Sequence, residues 1–180
     1  KKDFNINLEE ASYLISDRTK AIVPVHLYGQ SSDMEAIMKF ASTHSLYVVE
    51  DTAQAIGAEV TFSDGSQRMA GTIGNIGTTS FFPSKNLGCY GDGGMIITNS
   101  NKHYKKLRKL RNLGSEDKHK HDEIGINSRL DTIQAKLLIL KLQQLSKQNQ
   151  KRKNIAKLYD RKILNNKITK IVYSKNAVYH

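Results

Sequence analysis

Leu46-Tyr47-Val48-Val49-Glu50-Asp51-Thr52-Ala53-Gln54 is the stretch that decides the fold of this chain. Leu46–Val49 is a short apolar run of strand length, and it delivers two carboxylates, Glu50 and Asp51, at its C-terminal edge. Just upstream, Ser32-Asp33 supplies capping side chains for a helix running to about His44. Met34, Ile37, Met38 and Ala41 recur there at spacings of three and four, the period of one helical face. Further upstream, Ala21-Ile22-Val23-Pro24-Val25 reads as a buried strand with Pro24 near its end. Strand, helix, strand in this order implies an α/β fold with a parallel pair, because the crossover returns the chain in the same direction.

Downstream, a glycine-rich middle runs from Gly57 to Gly94 and holds two further strands, Gly77–Phe82 and Gly94–Thr98. Between them, Pro83-Ser84-Lys85-Asn86-Leu87-Gly88 is a loop by composition. The glycines at 88, 91, 93 and 94 lack the ending of a phosphate-binding P-loop, so tight turns into the next strand account for them. Asn101 opens a basic helix to about Leu113, and a polar loop follows over 114–125. From Leu130 the pattern is helical: Leu130, Ile133, Leu137 and Leu140 form a stripe that Leu138, Leu142 and Leu145 widen. This helix continues or restarts through Leu158, and Ile168, Ile171 and Val172 give the last segment, 167–180, a strand-like alternation. The expected organisation is a large unit over 1–125, a connecting helical region over 126–160, and the start of a small C-terminal domain over 161–180.

Three stretches carry residues suited to chemistry. In Ser80-Phe81-Phe82-Pro83-Ser84-Lys85, a strand ends, the chain turns, and one lysine is presented. A lysine amine condenses with an aldehyde only when unprotonated, which a strand end over a buried sheet can promote; a loop lysine is otherwise simply solvated. At the second stretch, Asp51 either pairs with a protonated ring nitrogen or caps a helix beginning at Thr52. At the third, Gly125-Ile126-Asn127-Ser128-Arg129-Leu130-Asp131, Asn127 and Arg129 offer donors for a phosphate; equally, Asn127 or Ser128 caps the following helix.

Taken together, these stretches resemble the DegT/DnrJ/EryC1/StrS sugar aminotransferases. The matching residues are Glu50–Ala58, Ser80–Gly88, Gly91-Asp92-Gly93-Gly94 and Asn127-Ser128-Arg129-Leu130-Asp131, with Pro24–Gly29 upstream, and they span the chain in the family's order. The resemblance implies the pyridoxal phosphate (PLP)-dependent fold type I, here a partial large domain with a mixed, mostly parallel sheet. It implies Lys85 as the Schiff-base lysine and as the acid and base of the proton shift. It implies Asp51 at the pyridine nitrogen, Gln54 at the ring or its hydroxyl, and Ser80 at the cofactor phosphate. Asn127 is similar to a residue that reaches the phosphate in the neighbouring subunit, which implies a homodimer with shared sites. The substrates implied are a nucleotide-linked keto-sugar and glutamate as amino donor, in surface polysaccharide or glycoconjugate synthesis. Relatives that are dehydratases carry histidine in place of the lysine, so Lys85 points to transamination. The Asn-Ser-Arg-Leu-Asp form is similar to relatives that aminate C3. Family members are about twice this length, so the chain reads as an internal fragment that lacks part of the cofactor cradle.

Composition narrows the alternatives. Residues 1–90 hold 7 Lys/Arg against 10 Asp/Glu, and residues 91–180 hold 21 against 7, so the net charge of +11 lies wholly in the second half. That asymmetry fits a basic nucleic-acid-binding module or lysine-rich solvated helices; no nucleic-acid motif accompanies it, which favours the second reading. A single cysteine, Cys89, excludes an internal disulfide framework and fits a reducing, cytoplasmic setting. No apolar run approaches membrane-spanning length, and no apolar segment follows Lys1-Lys2-Asp3-Phe4, so neither a membrane span nor a signal peptide is expected. Only His119 and His121 are close in sequence, and their spacing makes no metal site by itself.

Overall fold

The computed structural model describes residues 3–117 and 120–180. Its elements are α1 (Leu8–Ser12), β1 (Ala21–Ile22), a single 3₁₀ turn (Leu27–Gly29), α2 (Met34–Thr43), β2 (Tyr47–Asp51), β3 (Glu59–Thr61) and β4 (Gln67–Met69). There follow β5 (Ile76–Ser80), β6 (Gly94–Ile97), α3 (Asn101–Leu110), β7 (Ser115–Asp117), β8 (Lys120–His121), α4 (Thr132–Leu142) and α5 (Leu145–Lys162). The main sheet has the order β1-β2-β5-β6: β1 and β5 run parallel to β2, and β6 is antiparallel to β5. It is the mixed, mostly parallel sheet expected from the sequence.

The helix between β1 and β2 forms where its capping signal lies. Asp33 accepts from the Ala36 N–H at 3.0 Å, and α2 ends at Thr43 with His44 as its C-cap. Its inward face, Met34, Ile37 and Ala41, packs on Ile22, Val48, Val60 and Ile73 to make the main core. Since side chains alternate along a strand, Val48 and Glu50 point to this covered face, while Val49 and Asp51 point to the opposite one. The register pairs Asp51 with Thr78, and Ser80 lies two residues beyond on the same face. Asp51 and Ser80 therefore emerge from neighbouring strands at one edge of one sheet face.

Several expectations give way. The first strand is only two residues of ladder, with Val25 bridged singly to Asp51, because Pro24 has no N–H to donate. The polar loop over 114–125 contains a hairpin, β7–β8, pinned to α3 by Lys109, which bridges Glu116 at 3.1 Å and Asp122 at 3.2 Å. His119 lies outside the described residues. The leucine stripe does not form one buried face: Leu138 and Leu145 are buried, but Ile133 is 76% exposed and Leu140 52%. The helix also restarts, with α4 ending at Leu142 and α5 beginning at Leu145. The final segment forms no strand; instead Ala177 and Val178 are buried, Val178 packing on Ala55 and Ala58 and donating to the Gly29 carbonyl at 2.8 Å. The glycines at 88, 91, 93 and 94 do not have left-handed backbones. Close approach requires Gly88 instead, since a Cβ there would lie 2.5 Å from the Pro83 carbonyl oxygen.

Candidate functional site

Four of the five expected residues gather at the C-terminal edge of β2 and β5, where ligands bind in open α/β sheets. Each has one part anchored and one part left over. Asp51 Oδ1 accepts from the Ala53 N–H at 2.9 Å, closing a turn within the loop that follows β2. No helix begins at Thr52, so the capping alternative does not hold. Oδ2 has no partner among the described residues. Gln54 Oε1 accepts from the Tyr28 N–H at 2.7 Å, which fixes the amide and leaves Nε2 as a spare donor. The Ser80 hydroxyl oxygen accepts from the Phe82 N–H at 3.2 Å, leaving its own O–H to donate elsewhere.

Lys85 is held by its backbone, whose N–H donates to the Phe82 carbonyl at 2.9 Å. Its side chain is half-buried, and its amine makes no hydrogen bond to another described residue. The loop around it is fastened on both sides. Leu87 and Cys89 are buried with Phe81, Leu138 and Leu145, and the Cys89 thiol faces the Phe81 and Gly91 carbonyls at 3.0 and 3.1 Å. From α4, the Lys141 ammonium donates to the Gly88 carbonyl and sits 5.0 Å from the Tyr90 ring centroid. Gln134 accepts from the Tyr90 N–H at 2.8 Å. Cys89 is thus a packed, hydrogen-bonded filler.

His26 and Glu50, beside Asp51, are fully buried and joined at 3.1 Å. The Ser32 N–H donates to His26 Nδ1 at 2.9 Å, so Nε2 carries the proton and donates to the Glu50 carboxylate. Glu50 also accepts from the N–H groups of Gly71, Ile73 and Gly74 at 2.8, 2.7 and 2.6 Å. Burial alone pushes its carboxyl up; the His26 bond and the three backbone donors outweigh that and hold it below the usual carboxylate range. The His26 N–H donates to the Asp51 carbonyl at 3.0 Å, so this pair braces the end of β2 from beneath the site.

Asn127 does not join the other four. It is exposed, its Oδ1 accepts from Arg129 Nε at 2.9 Å, and its backbone bridges Asn112. Asp131 takes the position before α4 and makes no side-chain cap bond, so neither Asn127 nor Ser128 caps that helix. Two residues the sequence did not single out for the site reach the Lys85 neighbourhood. Burial, then the charges of Lys85 and Arg152, push the His180 imidazole below its ordinary range. No local signal marks Arg152 or His180, since each arrives through the packing of a distant segment.

The spare groups form a complementary set: an acceptor on Asp51 for a ring N–H⁺, an amide donor on Gln54 for a phenolic oxygen, a hydroxyl on Ser80 for a phosphate, and an amine for an aldehyde. That donor set fits PLP. The described residues contain no group of three or more His, Cys, Asp or Glu side chains placed to hold a metal.

The sequence model of the DegT/DnrJ/EryC1/StrS aminotransferase family matches residues 1–179. A pleiotropic regulatory protein of Geobacillus stearothermophilus is 47% identical over 158 residues, covering 88% of this chain and 41% of that protein. A UDP-N-acetyl-3-dehydro-alpha-D-glucosamine 3-aminotransferase of Acidithiobacillus ferrooxidans is 49% identical over 145 residues, covering 81% of this chain and 38% of that protein. The crystal structure of DesV from S. venezuelae, in complex with a ketimine intermediate, superposes with a TM-score of 0.90 at 38% identity, covering 99% of this chain and 48% of that one. The chain thus spans about two fifths to one half of the length of these relatives.

Proposed function

The chain belongs to the DegT/DnrJ/EryC1/StrS aminotransferase family, and from that premise we propose that it is part of a PLP-dependent nucleotide-sugar aminotransferase. What supports the proposal is that Asp51 and Ser80 end neighbouring strands on one sheet face, that Gln54 and Lys85 follow them within five residues, and that each keeps an unused polar group. When bound, PLP supplies an electrophilic aldehyde and an electron-withdrawing pyridinium ring.

The chain's own residues then have distinct tasks. Asp51 Oδ2 holds the ring-nitrogen proton, its other oxygen being fixed by Ala53. Gln54 Nε2 donates to the phenolic oxygen, its orientation set by Tyr28. Ser80 Oγ donates to the phosphate. Lys85 Nζ would hold the cofactor through its aldehyde, and the same amine, when free, would take up and return the proton that transamination moves. Lysine rather than histidine at position 85 favours transamination over sugar dehydration. The substrate class is a nucleotide-linked keto-sugar, with glutamate as donor, in a cytoplasmic pathway of surface-polysaccharide or glycoconjugate synthesis. The exposed Asn127 is assigned to the phosphate of a second subunit's site, which makes the working unit a homodimer. The domain division proposed is a large unit over 1–125, a helical connection over 126–160, and a small-domain start over 161–180.

The test is borohydride reduction of the full-length protein with PLP, followed by peptide mapping, beside an assay with a keto-sugar nucleotide and glutamate. Label on Lys85 and release of 2-oxoglutarate are expected. Label on any other lysine overturns the assignment of Lys85, and consumption of the sugar without 2-oxoglutarate overturns transamination with glutamate.

A further inference from the structure

We infer that Asn149 on α5 is a positioning residue for the Lys85 amine, because it ties the loop carrying Lys85 to the loop carrying Gln54. The inference rests on the reading of Lys85 as the cofactor-binding lysine. Asn149 is only 7% exposed, a rare place for an uncharged polar side chain unless its hydrogen bonds are met. Both ends are used. Its Oδ1 accepts from Asn86 Nδ2 at 2.9 Å, across 63 residues of sequence. Its Nδ2 donates to the Ile56 carbonyl at 3.2 Å, across 93 residues. Asn86 directly follows Lys85, and Ile56 lies two residues after Gln54.

The orientations are determined rather than assumed. Asn86 Nδ2 also donates to the Tyr179 carbonyl at 2.9 Å, and a backbone carbonyl can only accept, so the Asn86 amide cannot be turned. Asn149 must then present Oδ1 to Asn86 and its NH₂ to Ile56. Space is equally constrained: Gly57 has φ +88°, and a Cβ on it would lie 3.0 Å from Asn149 Nδ2. One turn beyond Asn149 on α5 is Arg152, whose charge His180 senses together with that of Lys85. The β2 and β5 strands fix where the two loops begin, but no ladder joins the loops themselves. Asn149 supplies that link, with Tyr179 clamping the Asn86 branch from the far end of the chain.

The two bonds are separable. Asn149→Leu keeps the branched shape of the side chain and removes both. Asn149→Asp keeps an acceptor for Asn86 and removes the donor to Ile56. The full-length protein is prepared in both forms and as wild type. Amide hydrogen exchange is followed without cofactor at residues 55–58 and 85–89, and kcat, KM and borohydride labelling are measured with PLP. Asn149→Leu is expected to speed exchange in both segments by about tenfold, the equivalent of one net hydrogen bond. It is expected to lower kcat by about tenfold to a hundredfold with little change in KM, as a misplaced reacting group does. Asn149→Asp is expected to speed exchange at 55–58 and leave 85–89 near wild type, an uneven pattern that general loss of stability does not produce. Wild-type exchange at both segments in folded Asn149→Leu overturns the inference, as does equal acceleration of both segments in Asn149→Asp. Should Asn149→Leu fail to fold, the Asn149→Asp pattern decides alone. Label on another lysine overturns the functional reading of Lys85, while the exchange pattern still judges the Asn149 link by itself.

Discussion

Replacing Glu50 by glutamine changes one atom and tests how the end of β2 is held. The carboxylate presents two acceptor oxygens to four donors: Oε2 to His26 Nε2 and Gly71 N, and Oε1 to Ile73 N and Gly74 N. Glutamine has one acceptor oxygen and an NH₂ that cannot accept. Whichever way its amide turns, two of the four donors face a donor. His26 cannot relieve the conflict by moving its proton, because Nδ1 must stay unprotonated to accept from Ser32. Bonds to a charged acceptor contribute about 1.5–3 kcal/mol each. Losing two is partly offset, since an uncharged amide is less costly to bury than a carboxylate. A net destabilisation of about 3–5 kcal/mol follows, the range for a buried charge network with one member altered. For a protein of a few hundred residues, that lowers Tm by roughly 4–8 °C.

The assay is thermal unfolding of the full-length protein followed by near-UV circular dichroism, wild type against Glu50→Gln, from neutral to acid pH. The sign of the pH dependence is fixed by the direction of the shift. The folded-state carboxyl is held below its ordinary value, so its contribution is complete above the unfolded value and is lost as pH falls through the folded one. The gap between the two proteins is therefore widest near neutrality and narrows below the usual carboxylate range. A Tm within about 2 °C of wild type at neutral pH would refute the reasoning, as would a gap that widens on acidification.

Two further substitutions separate structure from chemistry. Gln54→Glu keeps an acceptor for the Tyr28 N–H but removes the spare amide donor, whereas Gln54→Ala removes both. Urea unfolding of the cofactor-free full-length protein is expected to cost about 1 kcal/mol for alanine and less for glutamate, while PLP retention weakens in both; equal retention in glutamate and wild type would count against a cofactor role. Gly29→Ala places a methyl group within 2.5–2.8 Å of the Tyr179 backbone at a φ of +83°. It is expected to destabilise by about 1–3 kcal/mol and to loosen the packing of residues 177–180, read as faster amide exchange there.

The sequence by itself determined the parts of this protein whose cause is local. The alternation of Val48 and Val49 ahead of Glu50-Asp51 put the carboxylates at a strand edge, and the Met34, Ile37, Ala41 period gave α2 its core face. The motif residues Asp51, Gln54, Ser80 and Lys85 were legible as a set only through the resemblance of their stretches to the aminotransferase family. Tertiary structure alone decided what depends on partners far along the chain. Periodicity shows which helix face is apolar but not what covers it, so the stripe from Leu130 gave no warning that Ile133 is exposed while Leu138 and Leu145 are buried. Glu50 looked like a companion of Asp51 and is instead a buried brace, since His26 and the 71–74 backbone reach it only in the folded sheet. Asn149 carries no mark of its place in the sequence. Its two bonds, to Asn86 and Ile56, exist only once α5 packs against both loops, because a hydrogen bond has no sequence pattern when its partners lie 63 and 93 residues apart.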